Sequence, residues 1–439
     1  MHLNLINTEK VSNAFRKHFS LRMFFFFVLL SLVWSIRFPF VFRKIYAEDG
    51  AFFLADALSF RFPMDLLQPA SGYSLLIQRI GGRFVSLFPL EFAPIVCGLF
   101  SALCLSFLAA GIFHYNNFAT QDFLPRFTLS LCFIFLPLTS YSALGNVANL
   151  YIFFMAASAV FLYFNENTNA EIFYKSLIFF IAALSLPLTI FLLPILVHRS
   201  FLEKKTTGRW RIQKSDIALL AGLFSQFIFI MITSLGDRLP HSPNSLLKVV
   251  YLYFDRGIGI STVPKWGFVS GASGNISYEG SIDFLSSPSI RLLVVFVVLV
   301  VLLLIYLKSR AGFSSGIRSQ LLFIPLLGFT YSLLVGLFFN PEPRYMIFTS
   351  FLTFWTIIVL FESQMNRKLR ATSSSYLIMV LVLGLTASAH RSQGPDWKPE
   401  LLKARKACSQ INSIGDVKIR TLPIDALWEV TISCKNLGD

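Results

Sequence analysis

Tyr46-Ala47-Glu48-Asp49-Gly50 sets two carboxylates side by side just after the first long apolar run, next to Arg43 and Lys44. A fixed carboxylate within hydrogen-bond reach of a hydroxyl can take its proton, and a second can tune the first or share a divalent cation such as Mg or Mn. Gly50 lets the backbone turn sharply into a following helix. The same acids also suit the first turn of a helix, against the positive end of its dipole. Spacing alone leaves both readings open. A second group is Asn340-Pro341-Glu342-Pro343-Arg344-Tyr345. Arg344 at the mouth of an apolar run can clamp a phosphate with two parallel hydrogen bonds, or can simply snorkel beside an interfacial tyrosine. Arg238, His241 and Lys265, with Asp237, Lys248, Asp255, Arg256 and Trp266, lie in the long polar stretch 236–289. Each is a candidate substrate contact, though a solvated loop residue is the commoner reading of any one of them. Arg79 and Arg83, four apart, share one helical face, and Arg79 is a further candidate substrate contact. His241 has no clustered partner for zinc. Gly257-Ile258-Gly259 and Gly271-Ala272-Ser273-Gly274 read as flexible, outside the strand-to-helix context of a phosphate loop.

The elements that must position these residues are apolar. The chain has 439 residues, 55% hydrophobic and 14% charged, with 49 phenylalanines. Soluble domains carry roughly 25% charged residues. A soluble enzyme, a nucleic-acid binder and a disordered chain are thereby excluded. A membrane helix needs about 20 apolar residues. Spans are expected over 23–42, 86–113, 124–141, 147–164, 217–235, 290–307, 320–339, 345–361 and 375–390. The first run continues without a small-residue cleavage site, so it reads as a retained span rather than a signal peptide.

The run 175–197 is different. Leu184-Ser185-Leu186-Pro187 sits at its middle, where proline removes a backbone donor. Read as one span, it would put Arg199, Lys204, Lys205, Arg209, Arg211 and Lys214 on the same side as Glu48, against the positive-inside rule. It is therefore expected to be a broken hairpin that enters and leaves on the cytoplasmic side. Eleven membrane passes result, in an all-α polytopic protein with its N-terminus cytoplasmic and its C-terminus outside. The net charge of +15 then divides into +11 over the cytoplasmic segments, +3 over the external ones and +1 from Arg37, Arg291 and Glu91 within or beside the spans. Residues 1–390 form the membrane domain, with external loops 43–85 and 236–289, and 391–439 form a short external tail. Glu48–Phe60 is expected to be an amphipathic helix on the membrane surface. Cys408 and Cys434 both fall in the tail, where an oxidising compartment favours a disulfide; two free thiols are the alternative.

With an acidic pair opening the first external loop and Arg344-Tyr345 entering a late span, the chain resembles the GT-C superfamily of membrane glycosyltransferases. The likeness is to bacterial members with an EDG motif after span one. It implies a polyprenyl-phosphate sugar donor and inverting transfer to a glycan or glycolipid acceptor, such as O-antigen of lipopolysaccharide. It further implies a bacterial inner-membrane enzyme facing the periplasm. Carried over, Glu48 and Asp49 supply the general base or metal ligand, without a decision between them, and Arg344 steadies the lipid phosphate. A transporter or flippase of lipid-linked glycans, and a glycan polymerase or ligase, are the competing readings.

Overall fold

A computed structural model describes residues 21–437 apart from 34, 37, 70–71, 116–122, 137–145, 167, 234–245, 264–265, 267, 271–276, 280–282, 310–312, 314, 339–344, 363–366, 384–394, 411–414 and 422–428. Helices dominate. In chain order they are α1 (Leu21–Val33), α2 (a π-helical turn Asp49–Leu54 continuing as Ala55–Ser59), α3 (Leu76–Ser86), α4 (Ala93–Tyr115), α5 (Phe123–Phe135), α6 (Leu150–Phe161), α7 (Asn169–Ser185), α8 (Leu193–Thr207) and α9 (Lys214–Ile232). The second half adds α10 (Leu246–Leu252, continuing through a π turn Tyr253–Gly259 into Ile260–Thr262), α11 (Pro288–Ser309), α12 (Ser315–Phe338), α13 (Met346–Glu362), α14 (Arg367–Leu383) and α15 (Trp397–Gln410). Two short antiparallel hairpins depart from the all-α expectation. These are β1 (Phe268–Ser270) with β2 (Ser277–Glu279), and β3 (Asp416–Arg420) with β4 (Glu429–Ser433).

Among the described residues four helices are long and apolar enough to cross a membrane: Leu90–His114, Lys214–Ile232, Pro288–Lys308 and Ser315–Leu337. α1, α5, α6, α13 and Ala371–Leu383 of α14 are apolar but shorter. At 1.5 Å per residue, the 12 residues of α6 rise only about 18 Å. α6 is buried along its whole length at the centre of the bundle. α11, in contrast, presents Leu293, Phe296, Val297, Leu303 and Leu304 outward, as a helix facing lipid does.

The run 175–197 is broken at the expected proline. α7 opens on a capping box formed by Thr168 and Glu171 and ends at Ser185. Leu186 is extended, and Pro187 starts a 3-10 turn through Leu192. Thr189 Oγ1 donates to the carbonyl of Ala182 at 2.9 Å, satisfying an acceptor that the end of α7 leaves open. The chain then doubles back. Lys175, near the start of α7, donates to the Phe164 carbonyl at 2.7 Å and to Gln213 Oε1 at 2.5 Å. Arg199 of α8 grips both oxygens of Asp216, at 3.0 and 2.5 Å, and the carbonyl of Leu162. Glu166 accepts the N–H groups of Lys214 and Ser215 and lies 3.5 Å from Lys175. Burial alone would raise the Glu166 carboxyl; Ser215, Lys175 and the two N–H groups outweigh it and hold the carboxyl below its ordinary value. Both limbs of 175–197 thus return to one end of the bundle.

The stretch 236–289 is not a loop throughout, because α10 runs through it and packs against α13 and α11. Gly257 and Gly259, read as flexible, are packing positions. A Cβ on Gly257 would stand 2.7 Å from Thr349 Cγ2, and one on Gly259 2.2 Å from the Trp266 ring. Asp255, read as a solvated loop charge, is buried and pairs with the equally buried Arg291. Trp266 Nε1 donates to Asp255 Oδ1 at 2.9 Å, while Arg291 lies over the indole and bonds the carbonyls of Leu285 and Trp266. Alternation of polar and apolar residues does not reveal this helix, since its carboxylate and guanidinium point inward and satisfy one another.

Candidate functional site

The acidic pair opens α2. The N–H groups of Asp49 and Gly50 both donate to the Tyr46 carbonyl, at 2.9 and 3.3 Å, which starts the helix at Glu48. One face of α2 is buried, but not by a simple apolar-in, polar-out division: Asp49 joins Gly50, Phe53, Leu54, Ala55 and Ala57 inside, while Phe52 and Phe60 are exposed.

Asp49 is 3% exposed, and its side chain reaches across 98 residues of sequence. Its Oδ2 accepts the N–H of Val147 at 3.0 Å and its Oδ1 the N–H of Ala148 at 2.7 Å. The carboxylate thereby fixes the segment that leads into α6. Charge-assisted bonds to backbone donors are among the stronger ones a protein makes. Both oxygens of Asp49 are committed to this task. Glu48, its neighbour, is only partly buried.

α3 is wedged between the two partners. A Cβ on Gly81 would meet Val147 Cγ1 at 2.2 Å, and one on Gly82 would meet the Phe53 carbonyl oxygen at 2.3 Å. Only glycine permits backbones to approach so closely. Gln78 Nε2 donates to the Ala148 carbonyl at 3.3 Å, and the Ile77 N–H donates to Ser185 Oγ at 2.9 Å. Gln226 and Thr233 of the α9 end donate to the carbonyls of Ser74 and Gly72. The chain around residues 72–77, leading into α3, is thus bolted to α7 and α9.

Arg79 and Arg83 do share a face of α3, and both turn onto the loop ahead of it. Arg79, expected as a substrate contact, is buried in an ion pair with Asp56, bonds the Phe52 carbonyl at 3.3 Å and lies over the Phe53 ring. Arg83 pairs with Asp65 at 2.7 Å and with the Phe60 carbonyl at 2.8 Å. These guanidiniums hold the first loop in shape.

The tail covers α2. Trp397 ties it down, its N–H to the Arg43 carbonyl at 2.8 Å and its indole N–H to the Leu90 carbonyl at 2.6 Å. Arg405 pairs with Glu91, and Asn436 donates to the Leu58 carbonyl at 3.0 Å. Cys408 and Cys434 form the expected disulfide. β4 lies directly on Gly50, where a Cβ would come within 2.5 Å of Val430 Cγ2.

Tyr345 stands partly buried at the head of α13, packed on the main core. Arg344, Arg238, His241 and Lys265 lie outside the described residues. Among the described residues no three His, Cys, Asp or Glu side chains gather as a metal group. Each Asp49 oxygen accepts one backbone N–H, which leaves the second lone pair of each and the neighbouring Glu48 carboxylate outside these two bonds.

Two residues of this neighbourhood carried no weight in the sequence. Asn146 is fully buried, and among the described residues neither its Oδ1 nor its Nδ2 has a hydrogen-bond partner; Gln78 Oε1 is likewise unpaired among them. The available signal was Asn146-Val147-Ala148-Asn149, two amides at the mouth of an apolar run. Comparison with known proteins brought no match: no family model fits the chain, and no curated protein or solved structure is significantly similar to it.

Proposed function

We propose that the protein is a membrane glycosyltransferase that moves a sugar from a polyprenyl-phosphate donor to a glycan or glycolipid acceptor, such as O-antigen, outside the bacterial inner membrane. The observation that carries this reading is the division of labour in the acidic pair. Asp49 spends both oxygens on Val147 and Ala148, which makes it the positioning residue and assigns the base to Glu48. The Glu48 carboxylate takes the proton of the acceptor hydroxyl as that oxygen attacks the anomeric carbon. The bond from the anomeric carbon to the phosphate oxygen breaks with inversion, and the lipid phosphate leaves with the electron pair. Arg344 is the cation proposed to steady that phosphate.

The sidedness of the reading rests on charge and redox chemistry. The Cys408–Cys434 disulfide belongs to an oxidising compartment, and the module that carries it packs on α2, so the acidic pair shares its side. Arg199, Lys204, Lys205, Arg209, Arg211 and Lys214 then face the cytoplasm, as the positive-inside rule requires. Eleven passes, with α7 and α8 as a re-entrant pair, satisfy this arrangement. A periplasmic site has no nucleotide sugar, which favours a lipid-linked donor held in the bilayer.

A lipid-linked glycan transporter is the second reading, and the fully buried Asp255–Arg291 pair is what favours it, since buried charges mark many transport pathways. Mass spectrometry of surface glycan from a deletion strain separates the two. A glycosyltransferase leaves a glycan short of one particular sugar. A transporter leaves the whole glycan missing from the surface, and that outcome overturns the proposal.

A further inference from the structure

Asn146 sits one residue before the two N–H groups that Asp49 holds, so the acidic anchor fixes its backbone too. Its carboxamide is fully buried with donor and acceptor both unpaired among the described residues, a condition that holds whichever way the amide is turned. A buried polar group without a partner keeps the full cost of leaving water, and native proteins keep few of them. Gln78 Oε1 is a second acceptor unpaired among the described residues, while its Nε2 bonds the carbonyl of Ala148. Asn146 thus adjoins the Val147–Ala148 segment in sequence, and Gln78 touches it through that bond.

The chemistry of this group selects its ligand. It offers two amide oxygens as acceptors and one NH2 as donor, and it carries no positive charge. A phosphate, which only accepts hydrogen bonds, would leave both oxygens unsatisfied and would approach the Asp49 carboxylate as a like charge. A hydroxyl both donates and accepts, and neighbouring hydroxyls on a sugar ring match an amide that presents one donor and one acceptor edge. We propose that Asn146, assisted by Gln78, binds the ring hydroxyls of a neutral sugar, as a specificity-determining contact of the site. This rests on the glycosyltransferase reading and places the sugar, not the lipid phosphate, against the start of α6. Entry of the ring must displace a neighbour, because the side chain is sealed from solvent in the structure.

The test uses the full-length protein restoring surface glycan in a deletion strain, with the melting temperature of each purified variant measured alongside. In Asn146→Leu two unsatisfied groups are replaced by an apolar side chain of similar size. The melting temperature is expected to hold or rise while glycan transfer falls about tenfold or more, as the loss of two hydrogen bonds to substrate predicts. Transfer at the wild-type level, with the protein folded, overturns the proposal. A clear fall in melting temperature in both Asn146→Leu and Asn146→Asp also overturns it, because the amide is then a structural group holding water. Asn146→Asp keeps the shape and removes the NH2 donor; if Leu does not fold, an Asp variant that melts normally and transfers normally is equally fatal. Glu48→Gln is run beside them. Should it leave the glycan intact, the glycosyltransferase reading itself fails, which a normal result at Asn146 alone does not imply.

Discussion

Replacing Gly50 by alanine should destabilise the protein, against the ordinary behaviour of a helical glycine. In a helix interior, glycine to alanine normally gains about 1 kcal/mol. Here the new Cβ would lie 2.5 Å from Val430 Cγ2, 3.0 Å from Ile45 Cγ2 and 3.2 Å from Thr421 Cγ2. Carbon atoms in contact prefer about 3.5–4.0 Å, so roughly 1 Å of overlap with Val430 must be relieved. β4 cannot simply retreat. Val430 is registered against Ile419 of β3, Asn436 holds the Leu58 carbonyl, and the disulfide closes the module. Overpacking of this kind costs about 1–3 kcal/mol, which exceeds the helical gain. A net loss of about 1–2 kcal/mol is expected. Val430→Ala opens the space at its own cost, about 1.6 kcal/mol for two methyl groups plus any cavity left behind. On that background Gly50→Ala should become neutral or stabilising. The assay is a double-mutant cycle on four purified proteins in detergent, unfolded chemically. A cost for Gly50→Ala that is the same on both backgrounds, or a gain on the wild-type background, would refute the packing of the tail on the acidic motif.

Three further expectations concern the supports of the site. Removing the Cys408–Cys434 disulfide by paired serine substitution should cost about 3.5 kcal/mol from the chain entropy of its 26-residue separation; the tail should become protease-sensitive, and an unchanged gel mobility on reduction of the wild type would contradict the bridge. Asp255→Asn leaves Arg291 buried without its counter-charge and should cost about 3–5 kcal/mol; adding Arg291→Met should recover much of that loss in the same unfolding experiment. Glu166 is held below its ordinary value of 4.5, so its contribution is complete above that value and is lost as the pH falls through the lowered one; Glu166→Gln should flatten the acid limb of a stability-against-pH curve, and an unchanged limb would count against the Lys175 and Ser215 contacts.

Much of the scaffold was legible in the sequence because its signals are local. The apolar runs at 290–307, 320–339 and 345–361 match α11, α12 and α13 within a few residues. Pro187 breaks its helix for a reason internal to the residue, and two cysteines confined to one short tail have few other partners. What escaped depends on contacts between distant segments. The i, i+4 spacing put Arg79 and Arg83 on one face, but nothing in the spacing says that the face turns onto Asp56 and Asp65. Nor does an EDG motif show that its aspartate will hold two N–H groups about a hundred residues away. Asp255 and Arg291 lie 36 residues apart, and each alone reads as a charge that belongs in water. The glycines at 81, 82 and 257 are legible as close approaches only when the opposing backbone or side chain is known.

The most direct test of the central claim compares Glu48→Gln with Asp49→Asn in one complemented deletion strain, measuring surface glycan and melting temperature together at equal expression. Glu48→Gln should lose transfer by about a hundredfold or more while staying folded, since the amide keeps the size and shape of the side chain and removes its basic oxygen. Asp49→Asn sets an NH2 donor against a backbone N–H donor at Val147 or Ala148, and it should melt lower. Full transfer by a folded Glu48→Gln protein would contradict the account.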